Sequence, residues 1–339
     1  MNGEERSFVF DNIKAFLIAS TVFAHLLKQS PTFTLDSPSG CIYFIIFSYI
    51  MEGFFLISGY FSKNTKKCRD TAVKNFLLPY IFFVLLISSV STLFFNRPGG
   101  NLLTPSFALW FMLTMFMFRV TINLTSKFKY ILPAAFILYF IAGCMPLNNV
   151  LAGARTCHFF LFYIMGYKME WQHFEKIRNV NKAFMILLGA VLTAASVAII
   201  RFRLFPLHML YMEDSYESCG ITFPGGWLVS LAILLLSFGW FAVIVNLIPA
   251  VKTFFSDIGR KTISVYLLHI YVRYLFMFTP AAGPGGITSF LIALFATVAA
   301  LWLFSREPVF KAYNVLVNLM YKPIELLLVK LKSKHKGSG

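Results

Sequence analysis

Long apolar runs, each closed by charge, proline or glycine, follow one another along almost the whole chain. A helix crosses the hydrocarbon layer in about 20 predominantly apolar residues. Ten runs fit that pattern, at roughly 11–27, 42–61, 76–95, 106–123, 129–147, 154–168, 183–200, 227–248, 258–279 and 287–305. They predict an all-α polytopic membrane protein of about ten transmembrane helices around a polar internal cavity. The chain then divides into a ten-helix module, 1–305, and a basic cytoplasmic tail, 306–339, whose final Gly337, Ser338 and Gly339 look like an appended expression remnant. No connector has room for a soluble domain, and the longest is 201–226.

Composition supports this reading. Of 339 residues, 58% are hydrophobic and 13% charged, where soluble domains run at about 45–50% and about 25%. A soluble enzyme so built would set much of that apolar surface, 40 phenylalanines included, against water, and that class is excluded. The net charge of +16 would suggest a nucleic-acid partner in a soluble chain. Distributed over the spans, however, 23 of the 30 Lys and Arg fall on one side, 5 on the other and 2 within spans. The positive-inside rule makes the richer side, with both termini, cytoplasmic. The excess charge is a topology signal, no nucleic acid is called for, and a multi-pass protein of the plasma (inner) membrane is expected.

The first span follows Glu4, Glu5 and Arg6 and is interrupted by Asp11 and Lys14, which is not the pattern of a cleavable leader. The five cysteines show no Cys-x-x-Cys and no metal-ligand spacing. No metal is expected, and Cys41, Cys144, Cys157 and Cys219, all at outer span ends, fit inert thiols or an external disulfide. No repeat of 20–50 residues and no similarity between the halves is visible, which weakens a transporter reading.

Ionisable groups at membrane depth are costly and mark function by default. Lys14 and His25 are eleven residues apart in the first span, almost three helical turns, so they share a face about 16 Å apart along the axis. Asp11 lies one turn before Lys14 on that face. A long anionic ligand entering from the cytoplasm would meet both the cation and the imidazole. Each residue also has a structural reading: Lys14 snorkelling, Asp11 capping or pairing with Lys14, His25 hydrogen-bonding between helices. In the second span Glu52 is a mid-membrane carboxyl, Gly53 and Gly59 permit close helix approach, and Ser58 can donate to a ligand. The segment after it carries Lys63, Lys66, Lys67 and Arg69, a cation cluster suited to phosphates or to lipid headgroups. Arg155 and His158 mark the outer end of the sixth span. In the ninth, Thr262, Tyr266, His269 and Arg273 recur at i, i+4, i+7 and i+11, a polar stripe on one face.

Taken in order, several segments resemble acyltransferase family 3, and more narrowly its fucose 4-O-acetylase-like branch. Phe10-Asp11-Asn12-Ile13-Lys14-Ala15-Phe16-Leu17-Ile18 followed by His25 resembles the family's first helix, with its basic residue, ten intervening positions and histidine. Phe54-Phe55-x-x-Ser58-Gly59-Tyr60 is similar to its second, and Lys74 through Leu77-Leu78-Pro79-Tyr80 to the start of its third. Leu109-Trp110-Phe111 is similar to its fourth, Phe160 to Gly166-Tyr167 to its sixth, and Ser264-Val265-Tyr266-Leu267-Leu268-His269 to its ninth. Lys14 stands where the family's commonest residue is arginine, a point charge in place of a bidentate fork. No esterase-like domain is appended, so transfer would finish on the membrane module or with a partner protein.

The resemblance implies a membrane O-acyltransferase, most often an O-acetyltransferase. It would move an acyl group from cytoplasmic acyl-coenzyme A, typically acetyl-CoA, to a hydroxyl of a cell-envelope or exported glycan or glycolipid at the outer face. His25 would act as general base or transient acyl carrier, with Glu52 tuning it. Lys14, Ser58, Lys66, Lys67, Arg69 and Lys74 would hold the donor, and Asp11, Trp110, Arg155, His158, His269 and Arg273 would border the acceptor. A transporter or flippase of an anionic substrate, and a non-catalytic membrane sensor, remain as alternatives.

Overall fold

The computed structural model describes residues 3–31, 33–95, 101–105, 107–146, 150–278 and 286–336, and Gly337–Gly339 lie outside them. Every regular element among the described residues is helical: α1 (Gly3–Leu27), α2 (Pro38–Phe47), α3 (Ile50–Tyr60), α4 (Thr65–Ala72), α5 (Leu78–Phe95), α6 (Trp110–Thr125), α7 (Ile131–Ala142), α8 (Gly153–Lys168), α9 (Trp171–Arg178), α10 (Lys182–Arg201), α11 (His208–Tyr211), α12 (Gly225–Leu247), α13 (Ser256–Arg260), α14 (Thr262–Phe278), α15 (Gly286–Phe304) and α16 (Glu307–Lys336). Within the bilayer each backbone N–H and C=O must be satisfied inside its own segment, which is why long apolar runs become helices.

Among the described residues, seven segments are long and apolar enough to cross a membrane: Ser7–Leu27, Pro38–Tyr60, Thr65–Phe94, Phe107–Thr125, Lys182–Arg201, Gly225–Leu247 and Gly286–Phe304. The other three sequence-derived spans become α7, α8 and α14, of 12, 16 and 17 residues, short of the about 20 that a straight crossing takes. The second span is also discontinuous. Ser37 caps α2 by accepting from the Gly40 amide, and the run stops at Ser48, whose hydroxyl donates to Ile45 O at 2.7 Å. It restarts at α3, so residues beyond the break are turned relative to a single continuous helix. The tail after 306 is helical as α16.

The chain forms two compact units. One comprises Met1–Lys63, Phe128–Asn149 and Gly153–Ser305. Here α1 is the central element, packing on α2, α3, α13, α14 and α15, and Val9, Ile13, Leu17, Ile18 and Val22 along it are fully buried. At its amino end Phe10 stacks on Tyr60 and meets Phe174 edge-on, at 4.7 and 5.1 Å between ring centres. The helices α3 and α8 approach through glycine. A Cβ at Gly59 would strike the Tyr163 carbonyl, and one at Gly166 the Leu56 carbonyl, so only hydrogen fits at either position. By contrast α10 and α15 expose Phe184, Ile186, Leu187, Ile287, Leu291 and Phe295, an apolar surface suited to lipid.

The second unit comprises Asn64–Lys127, Val150–Ala152 and Arg306–Gly339. Asn64 caps α4 by accepting from the Lys67 amide at 3.0 Å. Between α4 and α5 the helix widens into a π-helical turn, Val73–Leu77, a local feature common at functional sites. Arg119 of α6 lies 5.0 Å over the Phe76 ring in that turn, and Lys74 lies 5.4 Å over Tyr321 of α16.

Candidate functional site

The polar residues of the first unit gather in three places along the buried helices. At the amino end of α1, Lys14 and Asp11 form an ion pair of 2.8 Å one turn apart, with Lys14 also 5.9 Å from the Phe61 ring. Packing holds this pair in place: α13 lies so close that a Cβ at Gly259 would strike the Asp11 carbonyl. The neighbouring Asn12, which sequence reasoning did not single out, forms a fully satisfied knot. Its amide donates to Pro249 O and Val251 O, each at 3.0 Å, and its Oδ1 accepts from Thr253 Oγ1 and Ser256 Oγ at 2.8 and 2.7 Å. An amide inside an apolar run was the available signal.

Three turns on, His25 of α1 and His269 of α14 stack with near-parallel rings, ring centres 5.4 Å apart and planes within 16°. His269 is fully buried, and its Nδ1 donates to Tyr266 O at 2.5 Å, which leaves Nε2 as the accepting nitrogen. His25 is partly accessible and meets Phe47 edge-on at 5.7 Å. Arg273 and Lys28 lie within electrostatic range of His25. The stripe on the ninth span thus delivers His269 and Arg273 to His25. Tyr266, from the same stripe, lies within range of Arg155.

Arg155 forms an ion pair with Glu213 and donates through Nε to Tyr211 O at 3.2 Å. The Tyr211 hydroxyl receives a hydrogen bond from Lys28 Nζ at 3.1 Å and lies 2.9 Å from the Tyr43 hydroxyl. Between Tyr211 and Glu213, Met212 takes a left-handed conformation with φ of 53°, rare for a side-chain-bearing residue and held here by a surround that buries it. Lys28, Tyr43 and Tyr211 were missed by sequence reasoning because they lie in three distant segments.

The third group lies elsewhere. Glu52, 1% exposed, faces Ser237 of α12 and Tyr139 of α7. His158 donates from Nδ1 to Ala154 O at 2.9 Å and meets the Tyr139 ring edge-on at 5.5 Å. Tyr139 in turn donates to Ser230 O at 3.0 Å. Glu52 and His158 therefore share Tyr139 as neighbour, and the charges acting on His25 come from His269, Arg273 and Lys28. Ser58, on α3, is half-buried, and its carbonyl accepts from Ser62 Oγ at 2.7 Å. Lys63, beyond α3, donates to Tyr167 O and Met169 O at the end of α8, and burial holds its ammonium below the usual lysine range.

Within the second unit Lys66 and Lys67 are exposed on α4, Arg69 bonds Asp70 at 3.3 Å, and Lys74 sits in the π-helical turn against Tyr321. Trp110 opens α6, buried and 6.4 Å from the Phe111 ring. No group of three His, Cys, Asp or Glu suited to a metal ion occurs among the described residues.

A stacked histidine pair beside cations, one imidazole buried and the other partly accessible, can accept a proton from a hydroxyl and pass it on. The family model for the acyltransferase domain of acyltransferase family 3 matches residues 9–306, ending where α16 begins. No curated protein and no solved structure matches the sequence.

Proposed function

The chain belongs to acyltransferase family 3, and from that membership we propose that it is a membrane O-acyltransferase, specifically an O-acetyltransferase, whose transfer centre is the stacked pair His25 and His269. The stack at 5.4 Å carries the proposal. In the step proposed, His25 takes the proton of an acceptor hydroxyl as its oxygen bonds to the acyl carbonyl carbon of a thioester donor. The carbon–sulfur bond then breaks, and the departing thiolate takes the proton. His269, anchored through Nδ1 to Tyr266 O, fixes the orientation of the imidazole stacked on it. Glu52, set against Ser237 and Tyr139, is the proposed tuning group for the transfer.

The proposed donor is acyl-coenzyme A arriving from the cytoplasm, and the proposed acceptor is a cell-envelope or exported glycan or glycolipid hydroxyl at the outer face of the plasma membrane. Three observations support this polarity: 23 basic residues on one side of the spans, Lys14 at the amino end of α1, and His25 three turns further along. In this reading α7, α8 and α14 also cross the bilayer, giving ten crossings with both termini inside. The cations Lys66, Lys67, Arg69 and Lys74 attract the donor's phosphates.

Purified protein in liposomes, given labelled acetyl-CoA and an envelope glycan fraction, is expected to produce labelled glycan. A transporter of anionic substrates or a ligand sensor would consume no donor and label nothing, and that result would remove the proposal.

A further inference from the structure

The end of α1 that carries His25 is strongly positive. Lys28 is exposed there, its ammonium bonded to the Tyr211 hydroxyl and 5.2 and 5.6 Å over the Tyr211 and Tyr43 rings. Among the described residues no carboxylate lies within ion-pair distance of it. Arg273 approaches from α14, within electrostatic range of His25, His269 and Tyr43. The nearby carboxylates are already engaged: Glu213 by Arg155, and Asp214 by His208 at 3.3 Å. Two cations, the His269 imidazole and two phenols thus gather around the partly accessible His25. Arg273, within the ninth span, is a cation at membrane depth, which is costly and marks a substrate or ion path.

We propose that Lys28 and Arg273 form an anion subsite beside His25, so that the acceptor is a hydroxyl compound bearing a carboxylate or phosphate, with Tyr43 and Tyr211 fixing Lys28 in place. The inference rests on the reading of His25 as the transfer base and narrows its acceptor class. The geometry favours an acceptor over the donor's phosphates, because Lys14 lies about 16 Å along α1 from His25 and the donor is proposed to come from that end. Holding the acceptor's anion at Lys28 presents a neighbouring hydroxyl to the imidazole. The tyrosines add flat apolar faces on which a sugar ring can rest.

The test uses the full chain in neutral phosphatidylcholine liposomes and reads diethyl pyrocarbonate modification of His25 by peptide mass spectrometry. Methyl glucuronide, glucose 6-phosphate and methyl glucoside share one ring and differ in charge, so the first two separate a carboxylate source from a phosphate source. At least one charged sugar is expected to protect His25 at about tenfold lower concentration than the neutral one, as a charge-assisted contact implies. Lys28→Met, at an exposed position, and Arg273→Gln are expected to bring that ratio close to one, while Arg273→Lys retains most of it. Equal protection by all three sugars, protection by none, or a ratio unchanged in Lys28→Met would overturn the subsite. Protection by adenosine 3′,5′-bisphosphate in place of the sugars would assign the cations to the donor. Acetyl-CoA turnover is measured on the same preparation: turnover without charge discrimination leaves the acyltransferase reading and removes this inference, whereas charge discrimination without turnover leaves the anion subsite and removes the acyltransferase reading and, with it, the acceptor assignment.

Discussion

Asn12 offers the sharpest test of how the amino end of α1 is held. Replacing it with alanine removes four hydrogen bonds at once: two donated to Pro249 O and Val251 O at 3.0 Å, and two accepted from Thr253 and Ser256 at 2.8 and 2.7 Å. The side chain is 4% exposed, so water does not take over its partners. At about 1 kcal/mol net per bond the loss is about 4 kcal/mol. It falls to roughly 3 kcal/mol because the Thr253 and Ser256 hydroxyls, 3.3 Å apart, can bond each other once the amide is gone. Asn12→Asp keeps the accepting oxygen but points a carboxylate oxygen at two carbonyls. It loses both donated bonds and gains repulsion, so it is expected to be at least as damaging despite its equal size. Thermal unfolding in nanodiscs, followed by intrinsic tryptophan fluorescence, should show both variants melting several degrees lower. An Asn12→Ala protein melting within about 1 °C of the parent, or an Asn12→Asp protein equal to it, would refute the knot as a structural element.

Other perturbations probe the remaining packing and polar groups. Gly59→Ala and Gly166→Ala each drive a methyl into a facing carbonyl and are expected to cost about 1–3 kcal/mol, read as a lower melting temperature. A variant as stable as the parent would contradict the close approach of α3 and α8. Glu213→Gln breaks the ion pair with Arg155, frees a cation near Tyr211, and is expected to change the acceptor KM more than kcat. Equal changes in both would place the pair elsewhere in the reaction. Glu52→Gln preserves size in a buried site and is expected to keep the fold while slowing transfer. Unchanged kcat would assign Glu52 to packing alone.

Much of the site was legible in the sequence wherever one helix decided the geometry. The eleven-residue spacing set Lys14 and His25 on one face, and the i, i+4, i+7, i+11 stripe aligned Tyr266, His269 and Arg273. The Asp11–Lys14 pair follows from the same periodicity. What the sequence did not disclose depends on how helices meet. The stacking of His25 on His269 needs α1 and α14 to cross at that depth. Glu52 lies just beyond the break at Ser48 and Tyr49, and its direction toward Tyr139 and Ser237 cannot be read from a continuous helical wheel. Lys28 and Tyr211 are joined across 183 residues by a hydrogen bond that no local pattern marks. The stretch after 306 read as a basic tail, and its spaced apolar residues, Val315 and Leu319 among them, belong to the helix α16.

The central claim is that His25, stacked on His269, performs the transfer. Its most direct measurement is the initial rate of labelled acetyl transfer from acetyl-CoA by purified His25→Ala protein, with folding verified by an unchanged melting temperature. Loss of a positioned general base predicts a fall of about 10²–10⁴-fold relative to the parent. Full transfer activity in the folded His25→Ala protein would contradict the account.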